Sequence, residues 1–95
     1  MDTIRFEWDE NKNRINRAKH GVDFREAQTV FYDSNAVLIA DPDHSEDEDR
    51  FILLGLSAEL RMLVVCHCCR ESDTVIRIIS ARKATAKETR QYGGM

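Results

Sequence analysis

From residue 36 onward the chain is a series of short apolar runs cut by polar turns, and nothing else in its 95 residues constrains the fold as much. Ala36–Ala40 stops at the turn signal Asp41, Pro42 and Asp43. Phe51–Leu56 and Met62–Cys69 are joined by a short polar turn around Ser57–Glu59, and Arg70–Asp73 leads into Thr74–Ser80. Strand-length runs with connections too short for a crossover pair with their chain neighbours in an antiparallel meander.

The first third has a different period. Residues 4–7 suit a short first strand. Asp9 is placed to N-cap a helix running to about His20, since its carboxylate can accept from the free amides of the first turn. Gly21 suits the left-handed position after that helix, and Lys19 and His20 suit its negative end. Asp23 and Glu26 are spaced as a capping box, with Val22 and Ala27 as its hydrophobic staple. Phe24, Ala27, Val30 and Phe31 then form an apolar stripe at helical spacing. Thr85 and Glu88 repeat the box, predicting a C-terminal helix to about Tyr92. The expected order is β-α-α-β-β-β-β-α. This is an α+β fold with a short N-terminal strand, two helices, a four-stranded antiparallel meander and a C-terminal helix. Helices on one face of the sheet leave the other as a binding surface.

The length suits one domain over residues 1–95. No apolar run approaches the roughly 18 residues of a membrane span. The N-terminus, with Asp2, Arg5 and Glu7, lacks the apolar core of a secretory signal, so no membrane and a cytoplasmic location are expected. Cys66, Cys68 and Cys69 crowd one segment, in odd number, and cannot build a disulfide framework. They fit a reducing compartment. The net charge of −3 is unevenly spread. Residues 21–59 hold ten acids against two bases, whereas residues 60–95 hold seven bases against three acids. The basic C-terminal third keeps a nucleic-acid partner open despite the acidic mean.

Several residues resist a purely structural reading. Arg77 interrupts the apolar run Val75–Ile79, and a charge there must reach a carboxylate, a carbonyl, solvent or a phosphate ligand. Arg82 and Lys83 follow at the strand end, with Lys87 and Arg90 beyond, forming a basic patch or a solvated helix start. His67 lies among the cysteines of the preceding strand. With a three-residue loop, paired positions sum to 144 and His67 faces Arg77; a two-residue loop puts the two on opposite faces. A satisfied structural histidine is the competing reading. Cys66, His67, Cys68 and Cys69 do not make a zinc site, because alternate side chains point to opposite faces and no second cluster exists. The acidic run Asp41–Asp49 lacks the glycine and spacing of a calcium loop. Within it, Glu48 stands with Arg50 at the mouth of a strand, where the carboxylate can act as a base or hold an arginine. Lys19 and His20 equally fit a plain dipole-compensating helix end.

Four segments carry a resemblance. They are Phe6, Glu7, Trp8 and Asp9; Lys19, His20, Gly21, Val22 and Phe24; Glu48 with Arg50; and Arg77 through Ala84. In that order and spacing the chain resembles the BrnT family of type II toxin–antitoxin systems over about residues 4–92. The resemblance implies a RelE-like fold and an endoribonuclease that cleaves RNA and inhibits translation. It implies a BrnA-type ribbon-helix-helix antitoxin as partner, with operator DNA reached only through that antitoxin. Such toxins cleave without metal or cofactor: the ribose 2′-hydroxyl attacks the adjacent phosphorus and leaves a cyclic phosphate. That chemistry needs cations for the developing charge and groups that move protons. Carried over by position, Arg77 and Arg82 are the phosphate-stabilising candidates, with Lys83 a third. His67 and Glu48 are candidates for proton transfer, Arg50 for phosphate contact, and Lys19 and His20 for substrate binding. Tyr92 is a further, weaker candidate. The alternative is a non-catalytic module acting as co-repressor with a DNA-binding antitoxin. A helix-turn-helix in the N-terminal helix pair is disfavoured, because the second helix offers mainly Asp23, Arg25, Glu26 and Gln28.

Overall fold

The computed structural model describes residues 3–39 and 50–92. In chain order it contains β1 (Arg5–Glu7), α1 (Glu10–His20), α2 (Phe24–Thr29), a 3₁₀ turn (Val30–Tyr32), β2 (Val37–Ile39), β3 (Arg50–Leu56), β4 (Met62–Arg70), β5 (Val75–Lys83) and α3 (Ala86–Thr89). The α+β class and the four-stranded meander are those expected from the sequence. No helix among the described residues is long and apolar enough to cross a membrane.

Asp9 caps α1 through Oδ1, which accepts from the amides of Asn11 and Lys12. Gly21 ends it at φ 71°, donating its N–H to the Arg17 carbonyl. The inward face of α1 is polar: its buried residues are Asn13 and Asn16. Asn13 Oδ1 accepts from the Phe24 amide at 2.8 Å, fixing the start of α2. Asn16 donates from Nδ2 to the carbonyls of Val22 and Ala81, and its Oδ1 accepts from the Ala81 amide. Its primary amide thus pairs with β5 as a neighbouring strand would, satisfying backbone groups that β1 does not reach.

α2 departs from expectation in one detail. Asp23 caps it, but Glu26 does not complete the box. Glu26 is buried, accepts from Ser57 Oγ at 2.7 Å and pairs with Arg61, whose guanidinium holds the carboxyl below its usual range. The box at Thr85 and Glu88 does close, although α3 ends at Thr89, three residues short of Tyr92.

The sheet order is β1-β5-β4-β3-β2. The pairs from β2 to β5 are antiparallel, whereas β1 lies parallel to β5, so the sheet is not antiparallel throughout. The meander leaves one edge of β5 open, and β1 takes that edge in the direction that delivers the chain into α1. Val22, Phe24, Ala27 and Val30 pack onto Leu53, Leu63, Val65, Ile78 and Ala81, so one face of the sheet forms the core.

The β4–β5 hairpin fixes what lies on the other face. Its turn has four residues, with Glu71, Ser72 and Asp73 all left-handed, and Arg70 pairs with Val75. Cys68 therefore faces Arg77 and His67 faces Ile78. A register shift follows at Cys66/His67, where Cys66 pairs with Ser80 and leaves Ile79 as the extra residue. Arg77 and Arg82 are five positions apart and would alternate to opposite faces of a regular strand. The bulge restores them to one face, opposite Cys68 and Val64 respectively.

Candidate active site

Register alone assembles a charged row across the face turned away from α2. Glu7 on β1 pairs with Arg77 on β5, Arg77 with Cys68 on β4, and Cys68 with Arg50 on β3. Neighbouring strands are about 4.8 Å apart, so Arg77 and Arg50 start from backbones about 10 Å apart with Cys68 between them. Arg70, at the end of β4, and Lys12, from the first turn of α1, close the row into a basin. Its volume is about 240 Å³, lined by Lys12, Arg50, Cys68, Arg70, Arg77 and Ile79.

Four of those six residues are cationic, and Glu7 pairs with two of them, Arg77 and Arg70. Glu7 Oε2 accepts from Arg77 Nη1 at 3.1 Å and lies 3.9 Å from Arg70 Nε. A guanidinium has five N–H donors, so the contact to Glu7 aims Arg77 and leaves donors for a ligand. The Arg77 side chain is 30% exposed. It is partly shielded from water, where its charge acts more strongly than on an open surface. Cations held on strands above a thiol floor bind an anion with several acceptor oxygens, such as a phosphodiester.

A second groove adjoins the basin. Lys12 and Ile79 line both, and Ile15, Asn16, Lys19, His20 and Ser80 complete the second, of about 220 Å³.

Comparison with known proteins shows the family. Residues 8–88 match the family described as ribonuclease toxin, BrnT, of type II toxin-antitoxin system. The chain belongs to the BrnT family. Its fold is similar to the crystal structure of the Brucella abortus ribonuclease toxin, BrnT, with a TM-score of 0.67 and 26% identity, covering 87% of this chain and 99% of that one. No curated protein sequence matches the chain. The match takes in Lys12, Lys19, His20, Arg50, Arg70 and Arg77, and so nearly the whole charged face lies within the BrnT region.

The structure sorts the residues singled out from the sequence of this BrnT-family chain. Arg77 and Arg50 meet in the basin, and Lys19 and His20 meet in the adjoining groove. Arg82 is on the same face as Arg77 but is engaged: Nη1 and Nη2 each donate to a different Glu88 oxygen at 2.9 Å. That bidentate pair holds α3 at one end of the face and depresses the Glu88 carboxyl to about 2. Lys83 pairs with Leu63, and so belongs to the opposite face, where it is exposed.

His67 does not join Arg77. The even-length turn places it on the core face, 4% exposed, with its ring 4.8 Å from that of Phe31 and 5.9 Å from that of Phe51. Burial pushes its pKa down, favouring the neutral ring. Tyr92 is also occupied elsewhere, donating to Asp33 Oδ2 at 2.7 Å. Glu48 lies outside the described residues.

Sequence reasoning passed over Lys12, Arg70 and Glu7. Lys12 carries no signal of its own in a hydrophilic helix, and Arg70 falls in the expected turn Arg70–Asp73. Glu7 carried a signal, an acid in a short strand beside Phe6, but only the parallel pairing with β5 sets it against Arg77.

Proposed function

We propose that this BrnT-family chain is a metal-independent endoribonuclease whose basin of Lys12, Arg50, Arg70 and Arg77 receives the scissile phosphodiester of RNA. The observation that supports this reading is the convergence of four cationic side chains from α1, β3, β4 and β5 on one small concavity. Rigid elements hold those charges before substrate arrives, so little reorganisation is needed as charge develops on phosphorus. The ribose 2′-oxygen attacks phosphorus, the bond to the 5′-oxygen breaks, and the products carry a 2′,3′-cyclic phosphate and a 5′-hydroxyl. The basin's part is electrostatic. Arg77, aimed by Glu7, and Arg50, across Cys68, grip the non-bridging oxygens as they gain charge.

Cleavage of messenger RNA in the cytoplasm inhibits translation, and a BrnA-type ribbon-helix-helix antitoxin neutralises the toxin and connects it to operator DNA. The test is RNA cleavage in excess EDTA by the native chain and by Arg77→Ala, with product ends identified. Loss of a cyclic-phosphate product in the variant is the expected result. Undiminished cleavage by Arg77→Ala, or abolition of native cleavage by EDTA, overturns the reading.

A further inference from the structure

The basin does not end at Lys12, and the fold explains why a second groove opens there. β1 covers the edge of β5 only as far as Arg77. Beyond that point the edge passes to α1, whose Asn16 amide meets the backbone of Ala81. The bulge residue Ile79 falls between those two supports, and the 220 Å³ groove forms around it.

The lining separates into two chemistries. Ile15, 55% exposed, and Ile79 offer apolar surface, with the imidazole of His20 beside them. Lys12 and Lys19 supply positive charge. Asn16 is committed to Val22 and Ala81 and gives the groove shape rather than recognition. Apolar and flat surface for a base, with cations for its phosphate, is the combination that holds an unpaired nucleotide.

We propose that this groove is a second nucleotide subsite, holding the first nucleotide beyond the pair that the scissile phosphate joins. Its base lies against Ile15, Ile79 and His20, its phosphate is held by Lys19, and Lys12 sits between the two phosphates. The proposal rests on the basin being where RNA is cut. It adds that the RNA must be unpaired at the neighbouring position, because a base seated in the groove cannot also be stacked in a duplex.

The experiment compares kcat/KM for an unpaired RNA octamer and a dinucleotide, using the native full-length chain, Lys19→Ala, Ile15→Asp and Arg77→Ala. Lys19 and Ile15 are exposed, so both subsite variants keep the fold. The octamer-to-dinucleotide ratio is expected to fall about tenfold in each. Affinity for an octamer carrying a 2′-deoxy scissile residue is measured against salt in parallel. Lys19→Ala should flatten that log–log slope by about 0.7, the signature of one lost phosphate contact on a single strand. Arg77→Ala should lower cleavage of both substrates alike. Native ratios and slopes in both subsite variants, with Arg77→Ala impaired, overturn the subsite and leave the basin standing. Native cleavage of both RNAs by Arg77→Ala removes the basin, and the subsite with it.

Discussion

Glu7 and Arg77 are 70 positions apart in sequence yet paired in register, with Glu7 Oε2 accepting from Arg77 Nη1 at 3.1 Å. The contact exists because β1 runs parallel to β5 and stops at the level of the basin. It gives Arg77 a fixed direction on a face where an unrestrained guanidinium would sample many rotamers. Orientation of this kind acts on the rate step more than on capture of the ligand.

Glu7→Gln therefore separates two effects. The substitution removes a negative charge beside the proposed phosphate site, so RNA affinity should hold or rise, while Arg77 loses its aim and kcat falls about tenfold. Glu7→Asp, which keeps the charge, should recover part of the rate. Single-turnover cleavage and binding to a non-cleavable RNA check the two halves separately. A weaker affinity with native kcat would place Glu7 outside this role.

Arg82 should behave as an anchor. Its side chain is 40% exposed, which discounts the pair with Glu88, so Arg82→Ala is expected to cost about 0.5–1 kcal/mol of stability. The Glu88 carboxyl is depressed from 4.5 to about 2 in the folded chain. The pair's contribution is thus complete above pH 4.5 and is lost as pH falls toward 2. Urea midpoints between pH 2 and 6 should show that acid slope in the native chain and a shallower one in Glu88→Gln. Identical slopes would mean the pair is too solvated to count.

The elements were legible because their signals are local. Asp9, Asp23 and Thr85 cap the helices they were expected to cap, and the apolar runs from residue 36 became strands. The site was only half legible, since it depends on counts that sequence spacing does not fix. One residue more in the 71–74 turn than the three-residue alternative moved His67 to the core face. The extra residue at Ile79 set Arg82 on the same face as Arg77 despite odd spacing. Glu7 became visible only through a pairing between the first and last strands, for which the chain carries no adjacent cue.

Gly55 marks a close approach between β3 and the end of the α2 segment. A Cβ placed there would lie 2.8 Å from Val30 Cγ1 and 2.9 Å from Ala36 Cβ, distances that ordinary packing does not show. Asp33 Oδ2, at 3.2 Å, also accepts from the Leu56 amide and the Tyr92 hydroxyl, so a shift there disturbs three segments. Gly55→Ala should destabilise the fold by about 1–3 kcal/mol. The reading is a lower denaturant midpoint at unchanged cooperativity; a change within about 0.5 kcal/mol would show that Val30 and Ala36 yield freely.

His67 gives the last prediction, and its sign follows from burial. The folded chain holds the ring neutral against Phe31 and Phe51 with its pKa below the ordinary 6.5, whereas the unfolded chain protonates near 6.5. Between those values the unfolded state binds the extra proton, so stability is full above pH 6.5 and is lost as pH falls through the window below it. His67→Leu should flatten that part of the stability profile, and His67→Ala should cost about 2–4 kcal/mol by emptying the space between the rings. RNA cleavage by the folded fraction of His67→Leu should stay near native, because the imidazole lies across the sheet from Arg77. A loss of cleavage greater than the loss of folded protein would return His67 to the reaction and require a route through the sheet that this register does not provide.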